Sequence, residues 1–329
     1  MRRAQAPGST ASLPSLPNGS TVTVGSFDGV HLGHQAVLQE IGRRARAAER
    51  ASVLVTFDPH PLEVVNPDAA PPLLTTGAER LEILAQSPLD YVLILRFDRY
   101  LAGLSPEGFV REVLLQRCAV RELVIGHDHG FGRGRSGDVE TLRRIGAVEE
   151  FEVDVVEPVD FGGQHISSSR IRRAVAGGDL RTAGAMLGRP YGVVGRVGQG
   201  ERRGRLLGVP TINLTEISPR KLLPPDGVYA VAVDWRGGRV GGMMNQGSRP
   251  TFEDGRRTLE AHLFDYEGDL YGEWVRIEWV KRLRDIERFA SVEKLQQQLE
   301  RDRTRAVAAL AVARIGHDRF YLDPEHLSP

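Results

Sequence analysis

Thr21-Val-Thr-Val-Gly-Ser-Phe-Asp-Gly-Val-His-Leu-Gly-His34 decides how the first half of the chain folds. A β-branched run ends in a glycine-punctuated turn and passes into a basic amphipathic stretch with Val37, Leu38, Ile41, Ala45 and Ala48 on one face, the pattern of strand, loop and helix. Gly25 and Gly29 let the backbone bend sharply and approach a ligand closely. A helix starting near Gly33 aims unpaired N–H groups and its positive dipole end into that loop, so the expected ligand is an anion, phosphate above all. His31 and His34, three apart, bring two imidazoles to one pocket, and Gly33 between them removes a side chain that would block it. A plainer reading also stands: His31 caps a turn and His34 is a surface residue of the helix.

Outward from this stretch, 329 residues allow two domains with separate cores, and 41% hydrophobic with 26% charged is ordinary for a globular chain. Lys+Arg 43 against Asp+Glu 43 gives no general electrostatic case for nucleic acid or an anionic membrane, so neither is expected as a partner. The single Cys118 excludes an internal disulfide and argues against a cysteine metal site, which suits a reducing cytoplasm. No span approaches the length of a transmembrane helix. The first residues, with Arg2 and Arg3 before Pro, Gly and Ser, lack the apolar core of a signal peptide, and 1–19 reads as a flexible lead-in.

From 20 to 187 short apolar runs at Ser52–Phe57, Tyr91–Leu95, Glu122–Ile125 and Phe151–Val156 alternate with helical stretches after Thr75-Thr76, from Ser105 and Pro106, and at Asp138–Ile145, Ser168–Val175 and Asp179–Leu187. Such alternation predicts a doubly wound α/β domain, Rossmann-like, whose ligands gather at the carboxyl ends of parallel strands. The loops after those strands carry the chemistry. Thr56-Phe-Asp-Pro-His-Pro61 is a stiff turn presenting Phe57, Asp58 and His60. Ile125–Gly137 is dense in glycine, histidine and arginine, with Arg133 and Arg135 available for phosphate. His165-Ile-Ser-Ser-Ser-Arg-Ile-Arg172 opens a helix with hydroxyls, either Ser168 or Ser169 as N-cap, and Arg172 one turn in makes a second phosphate cradle.

After Leu187-Gly-Arg-Pro-Tyr191 helical periodicity stops, and β segments follow at Tyr191–Val197, Gly227–Trp235, Arg239–Met244, Thr258–Phe264 and Trp274–Val280. The boundary therefore falls near 188, and the second half, 188–329, is expected to be a small antiparallel β-barrel with a helix over about 291–314 packed beside it. Gly237-Gly238 marks a hairpin. Gly198–Gly208 is a basic glycine loop that lacks the P-loop pattern; its Gly204, Arg205 and Gly208 suit polyphosphate. Thr211 and Asn213 just beyond it are hard oxygen donors suited to Mg²⁺ held jointly with phosphate. In Thr258–Asp265, Glu260 and His262 share the polar face of a strand. Glu260 is there either as a base for a hydroxyl proton or as an outward-facing strand residue.

Taken together, these motifs carry a resemblance. The HxGH pattern resembles the signature of the nucleotidylyltransferase superfamily. Gly25–His34, Thr56–Pro61, Gly126–Gly132 and Ser167–Arg172 resemble, in order, the GxFDGxHxGH, TFxPHP, GxxxxFG and SSTxIR blocks of the FMN adenylyltransferase module of prokaryotic FAD synthetases. Ser26 stands where Asn is common and Ser169 where Thr is. Val209-Pro-Thr-Ile-Asn213, Pro225–Ala230, Asn245–Phe252, Leu259–His262 and Leu270–Gly272 are similar to the riboflavin kinase module, with Pro-Thr-Ile-Asn for Pro-Thr-Ala-Asn. The resemblance implies a bifunctional enzyme of flavin cofactor synthesis with ATP as co-substrate, Mg²⁺ as cofactor, and riboflavin, FMN and FAD as substrates or products; a weak homo-oligomer is allowed. It implies His31 and His34 as catalytic groups of the first domain, with Gly25, Ser26, Phe27, Gly33, Ser168, Ser169 and Arg172 on ATP. Phe57, Pro59, His60, Asp128 and Phe131 would meet flavin. In the second domain it implies Glu260 as base, Gly204, Arg205, Gly208, Thr211 and Asn213 on phosphates, and Thr211 and Asn213 on the metal. The rivals are a riboflavin kinase whose adenylyltransferase domain is weak or inactive, a flavin-binding protein without turnover, and a nucleotidylyltransferase for another phosphorylated substrate.

Overall fold

Strands buried on both faces sit in the middle of a layered domain, and the first sheet has five parallel strands of which the inner three are so buried. A computed structural model describes residues 13–126, 137–198, 211–248 and 257–313. The chain divides into two compact units, Met1–Ser168 and Ser169–Pro329.

In the first unit the order is β1 (Ser20–Val24), α1 (Leu32–Ala47), β2 (Ala51–Asp58), α2 (Pro61–Val65), α3 (Gly77–Leu84) and β3 (Tyr91–Arg96). There follow α4 (Arg99–Gly103), α5 (Pro106–Phe109), which widens into a π turn over Val110–Leu115, β4 (Val120–Gly126), α6 (Val139–Glu149), β5 (Glu152–Val156) and the hairpin β6 (Asp160–Phe161) and β7 (Gln164–His165). The sheet runs β3-β2-β1-β4-β5, all parallel. The strand order reverses between β1 and β4, which makes a crevice at their carboxyl ends. Val22, Val53, Val55 and Leu123 pack on one face with Val110, Val113 and Leu142. Leu54, Val92 and Val124 pack on the other with Val37, Leu38, Ile41 and Leu84.

Residues 13–19, expected to belong to a flexible lead-in, are tied down: Leu13 is buried in the first of these cores with Leu16 beside it, and Asn18 Nδ2 donates to Glu49 O. Residues 1–12 lie outside the described residues. Ser105 Oγ accepts from the Gly108 N–H at the start of α5 and Asp138 Oδ1 from the Thr141 N–H at the start of α6, whereas Ser168 and Ser169, read as N-caps, already lie within the helix Ser168–Ala176. Thr76 and Glu79 close a reciprocal capping box at α3.

α7 (Ser168–Ala176) opens on the last residue of the first unit, and with α8 (Leu180–Leu187) it leads into the barrel strands. The division thus precedes both helices, where the sequence places the boundary near 188. The second unit closes β10 (Gly227–Trp235), β11 (Gly238–Ser248), β12 (Arg257–Leu263), β9 (Thr211–Thr215), β8 (Gly192–Gly198) and β13 (Trp274–Arg284) into an antiparallel barrel in that spatial order. Trp235 pairs Gly238 across the expected hairpin. Tyr229, Val231, Met244, Ala261 and Trp279 are buried in it. α9 (Val292–Val312) covers the barrel, setting Ala306 and Leu310 on Ala230, Met243 and Phe264. Arg284 Nε donates to Asp302 Oδ2 at 2.9 Å, pairing a fully buried helix carboxylate with the end of β13. Among the described residues no helix is long and apolar enough to cross a membrane.

Candidate active sites

At the carboxyl ends of β1, β2 and β4 lies a cavity of about 940 Å³. Gly25, Ser26, Phe27, His31, Gly33 and His34 line it from the first turn, Phe57 and His60 from the second, and Ser168 from the start of α7. The first turn is bent hard: Phe27, Val30 and Gly29 have φ of 49°, 38° and 84°. For Phe27 and Val30 this is a conformation that side chains disfavour and that the surroundings must impose.

The imposing groups are buried. Asp28, 1% exposed, accepts from the Leu74 N–H at 3.0 Å and from the Thr75 N–H and hydroxyl at 2.8 and 3.1 Å. Gly29 N–H donates to Thr75 Oγ1, and Ser168 Oγ donates to Asp28 O at 2.9 Å. Arg80, 5% exposed, donates to the carbonyls of Ser26 and Phe57. Burial pushes the Arg80 guanidinium pKa down, against the opposing charges of Asp58 and Asp28.

His31 answers both readings of the sequence at once. It is the N-cap of α1, its Nδ1 accepting the His34 N–H at 3.3 Å, and it is 6% exposed at the cavity wall. In the neutral ring an accepting Nδ1 leaves the proton on Nε2, a donor suited to a phosphate oxygen. The His31 and His34 rings stack with centroids 3.7 Å apart, and Phe27 lies 4.5 Å from His34. A Cβ on Gly33 would sit 3.2 Å from the His31 ring, so the glycine between the histidines keeps the stack possible.

In the second turn His60 caps α2 by accepting the Leu62 N–H, so the stiff turn read from its prolines runs straight into a short helix. Phe57 is mostly core, with Phe97 edge-on at 5.3 Å, while also lining the cavity. Pro59, next to a cis Asp58–Pro59 bond, is exposed and does not line it. Ser169 and Arg172 follow in α7, beyond the division between the units. Asp128 and Phe131 lie outside the described residues.

Sequence reading missed Thr75 and Arg80. Its only signal there was Thr75-Thr76 before a helix, and nothing local tells that this segment folds back on the first turn.

On the barrel, Thr211 Oγ1 donates to Glu260 Oε1 at 2.6 Å. Register places Asn213 opposite Glu260 on one side and Asn245 opposite it on the other, with His262 opposite Thr211. Asn213 is buried, and Thr211 and Glu260 are half-buried. A hydroxyl, an amide oxygen and a carboxylate are the hard donors that suit Mg²⁺ when phosphate and water complete its shell. Among the described residues no group of three or more His, Cys, Asp or Glu could hold a metal ion. Gly204, Arg205 and Gly208 lie outside the described residues. Arg284 is committed to Asp302 and to the Phe289 ring, 5.6 Å away.

A Rossmann-like sheet with paired histidines over a switch-point cavity, followed by a closed barrel bearing a Thr-Asn-Glu cluster, defines a two-unit transferase of phosphate-bearing substrates. The FAD synthetase family matches residues 13–170 and the riboflavin kinase family 187–310. The bifunctional riboflavin kinase/FMN adenylyltransferase of Escherichia coli K12 is 39% identical over 285 residues, 86% of this chain and 90% of its own. That of Pseudomonas fluorescens is 38% identical over 294 residues, 88% of this chain and 94% of its own. A crystal structure described as a macrolide-efflux protein from Streptococcus pneumoniae superposes with a TM-score of 0.78 at 32% identity, covering 88% of this chain and 94% of that one. The chain belongs to the bifunctional riboflavin kinase/FMN adenylyltransferase family.

Proposed function

We propose that the chain makes FMN and then FAD, the barrel unit phosphorylating riboflavin with ATP and the α/β unit joining FMN to the AMP moiety of a second ATP. The adenylyltransferase part is assigned to 20–187 and the kinase part to 188–329. The observation that carries the reading is that one chain presents both the stacked His31–His34 pair in a cavity and the Thr211–Glu260 bond on barrel strands.

In the kinase step the ribityl hydroxyl oxygen attacks the γ-phosphorus of ATP, the bond to the β-phosphate oxygen breaks, ADP leaves, and Glu260 takes the hydroxyl proton. The Thr211 hydroxyl orients that carboxylate. Mg²⁺, held by Thr211 and Asn213 with phosphate oxygens, supplies charge neutralisation at the transferring group.

In the adenylyl step a phosphate oxygen of FMN attacks the α-phosphorus and pyrophosphate leaves. A phosphate oxygen already attacks well, so no protein nucleophile is needed. His31 Nε2, His34, the hydroxyl of Ser168, the guanidinium of Arg172 and the turn N–H groups stabilise the charge that develops. Phe57, His60 and, beyond the described residues, Phe131 and Asp128 are assigned to the flavin side. The partners are small molecules, with a weak homo-oligomer allowed, and work in a reducing cytoplasm fits the lone Cys118, buried with its thiol pushed up to about 12.

The test is to incubate purified protein with riboflavin, ATP and Mg²⁺ and resolve the flavins over time. Riboflavin should pass to FMN and then FAD; Glu260→Ala should stop at riboflavin yet convert supplied FMN, and His31→Ala should stall at FMN. Accumulation of FMN without FAD in the wild type would remove the adenylyltransferase assignment, and no change in any flavin would remove both.

A further inference from the structure

Arg80 is a buried cation whose side chain crosses between the two turns that line the cavity. Nη1 donates to Ser26 O at 2.8 Å and Nη2 to Phe57 O at 2.7 Å. Among the described residues it makes no ion pair, and its Nε finds no acceptor. A guanidinium fork spans two acceptors at fixed spacing, so the carbonyls leaving β1 and β2 are set relative to each other.

The Ser26 carbonyl also receives Thr56 Oγ1 at 3.2 Å. In a trans peptide the C=O and the next N–H point opposite ways. With the Ser26 carbonyl drawn to Arg80, the Phe27 N–H is turned away from it, and among the described residues no acceptor takes that N–H. Gly25, Ser26 and Phe27 line the cavity, where an N–H without a protein acceptor suits an anion. Phe27 itself sits at φ 49°, a conformation that relaxes unless held. The same segment grips the turn a second time through Thr75 and Asp28.

From this geometry we infer that Arg80 is a positioning residue for adenylyl transfer, fixing the phosphate-facing turn Gly25–Val30 against the Phe57–His60 turn from beneath. The inference rests on the proposed adenylyltransferase reading. Arg80 touches no substrate; it acts through the Ser26–Phe27 peptide and the Phe57 carbonyl.

The test uses the full chain with Arg80→Met, Arg80→Lys and the milder Thr56→Val. Three quantities are read: deuterium exchange of the amides of 25–30, kcat and KM for FAD formation from FMN and ATP, and riboflavin phosphorylation as the control on the same chain. Arg80→Met should speed exchange in 25–30 and lower kcat for FAD formation about 10- to 100-fold with KM little changed, as for a misplaced catalytic frame. Arg80→Lys, with one point donor, should recover part of both, Thr56→Val should show the same trend more weakly, and phosphorylation should hold. If Arg80→Met does not fold, the other two variants carry the measurement. Unchanged exchange in 25–30 overturns the inference whatever the chain catalyses, as does loss of both activities in step with folded protein and without rescue by lysine. A wild type that makes no FAD would instead sink the adenylyltransferase reading, and the exchange data would still decide whether Arg80 holds the turn.

Discussion

In the α/β unit the turn Gly25–Val30 is held by side chains from segments far along the chain, Thr75, Arg80 and Ser168, whereas on the barrel Thr211, Asn213 and Glu260 are set by the pairing of β9 with β12. Both sites are read as handling phosphate groups. A strand ladder positions its side chains as a by-product of folding, since pairing fixes which residues stand opposite and alternation fixes which face they share. A loop has no ladder, so each peptide that must face the ligand needs its own buried partner. On the proposed reading, the loop-built site depends on residues assigned no substrate contact, Thr75 and Arg80, as well as on its own side chains, while the strand-built site rests on Thr211, Asn213 and Glu260 themselves.

The strongest probe of that contrast is Glu260→Ala. General-base removal should lower riboflavin phosphorylation by about 10²–10⁴-fold. The register of β12 should persist, because Leu259, Ala261 and Leu263 stay buried on its other face. Kinetics with riboflavin, and with FMN as the control, check this; phosphorylation within tenfold of wild type would leave Glu260 as an ordinary strand residue. Next comes His31→Ala. Loss of a positioned donor should cost about 10²–10³-fold in FAD formation. Unlike the barrel variant it should also destabilise its own unit by about 1 kcal/mol, because the N-cap of α1 goes with it. An unfolding midpoint equal to wild type would show that capping by His31 is dispensable.

The same contrast explains what the sequence made legible. Buried parallel strands announce themselves as apolar runs, and Glu260 sits in a plain alternation, so the sheet and five of the barrel strands were readable from local pattern; β9 was not, and the pairing that sets Thr211 and Asn213 against Glu260 joins residues 49 apart in sequence. Gly25, Gly33 and the histidine pair were readable too, because glycine spacing and a helix start are local signals. Arg80 was not, since its meaning depends on a contact 54 residues away in sequence. Nor was the double duty of Phe57, which looks like a ligand-facing aromatic but packs into the core beside Phe97. The two helices before the barrel read as the close of an alternating pattern, although contacts set them with the second unit.

Asp28→Asn tests the loop supports more gently. An amide offers one acceptor where the carboxylate serves two backbone N–H groups and a hydroxyl, leaving a buried donor unmet at about 1–3 kcal/mol. Chemical denaturation should show this loss, and FAD formation should fall with it although Asp28 is not assigned to substrate. Full activity in a destabilised Asp28→Asn protein would break the contrast, since the turn would then keep its shape without its anchor.

The smallest expected effect asks how far that support reaches along α1. At the end away from the cavity, Glu40 and Arg44 join Glu122 of β4 and Asp154 of β5 in a cluster of ion pairs. Hydrogen bonds from Arg43 and then Arg44 hold the Glu40 carboxyl at about 2, below its ordinary 4.5. Because the folded value is the lower one, the stabilisation is present above pH 4.5 and drains away as pH falls from there toward 2. Solvent reaches the pair, with Glu40 26% exposed, so screening limits it to about 0.5 kcal/mol. Glu40→Gln should therefore lower the denaturation midpoint slightly at pH 7, and the gap from wild type should narrow steadily as the pH is taken from 4.5 down toward 2. FAD formation should not change. A fall in FAD formation would mean that the histidine pair is held through the whole length of α1 rather than by the turn beneath it, and the division between a locally fixed barrel site and a remotely fixed loop site would widen to the full helix.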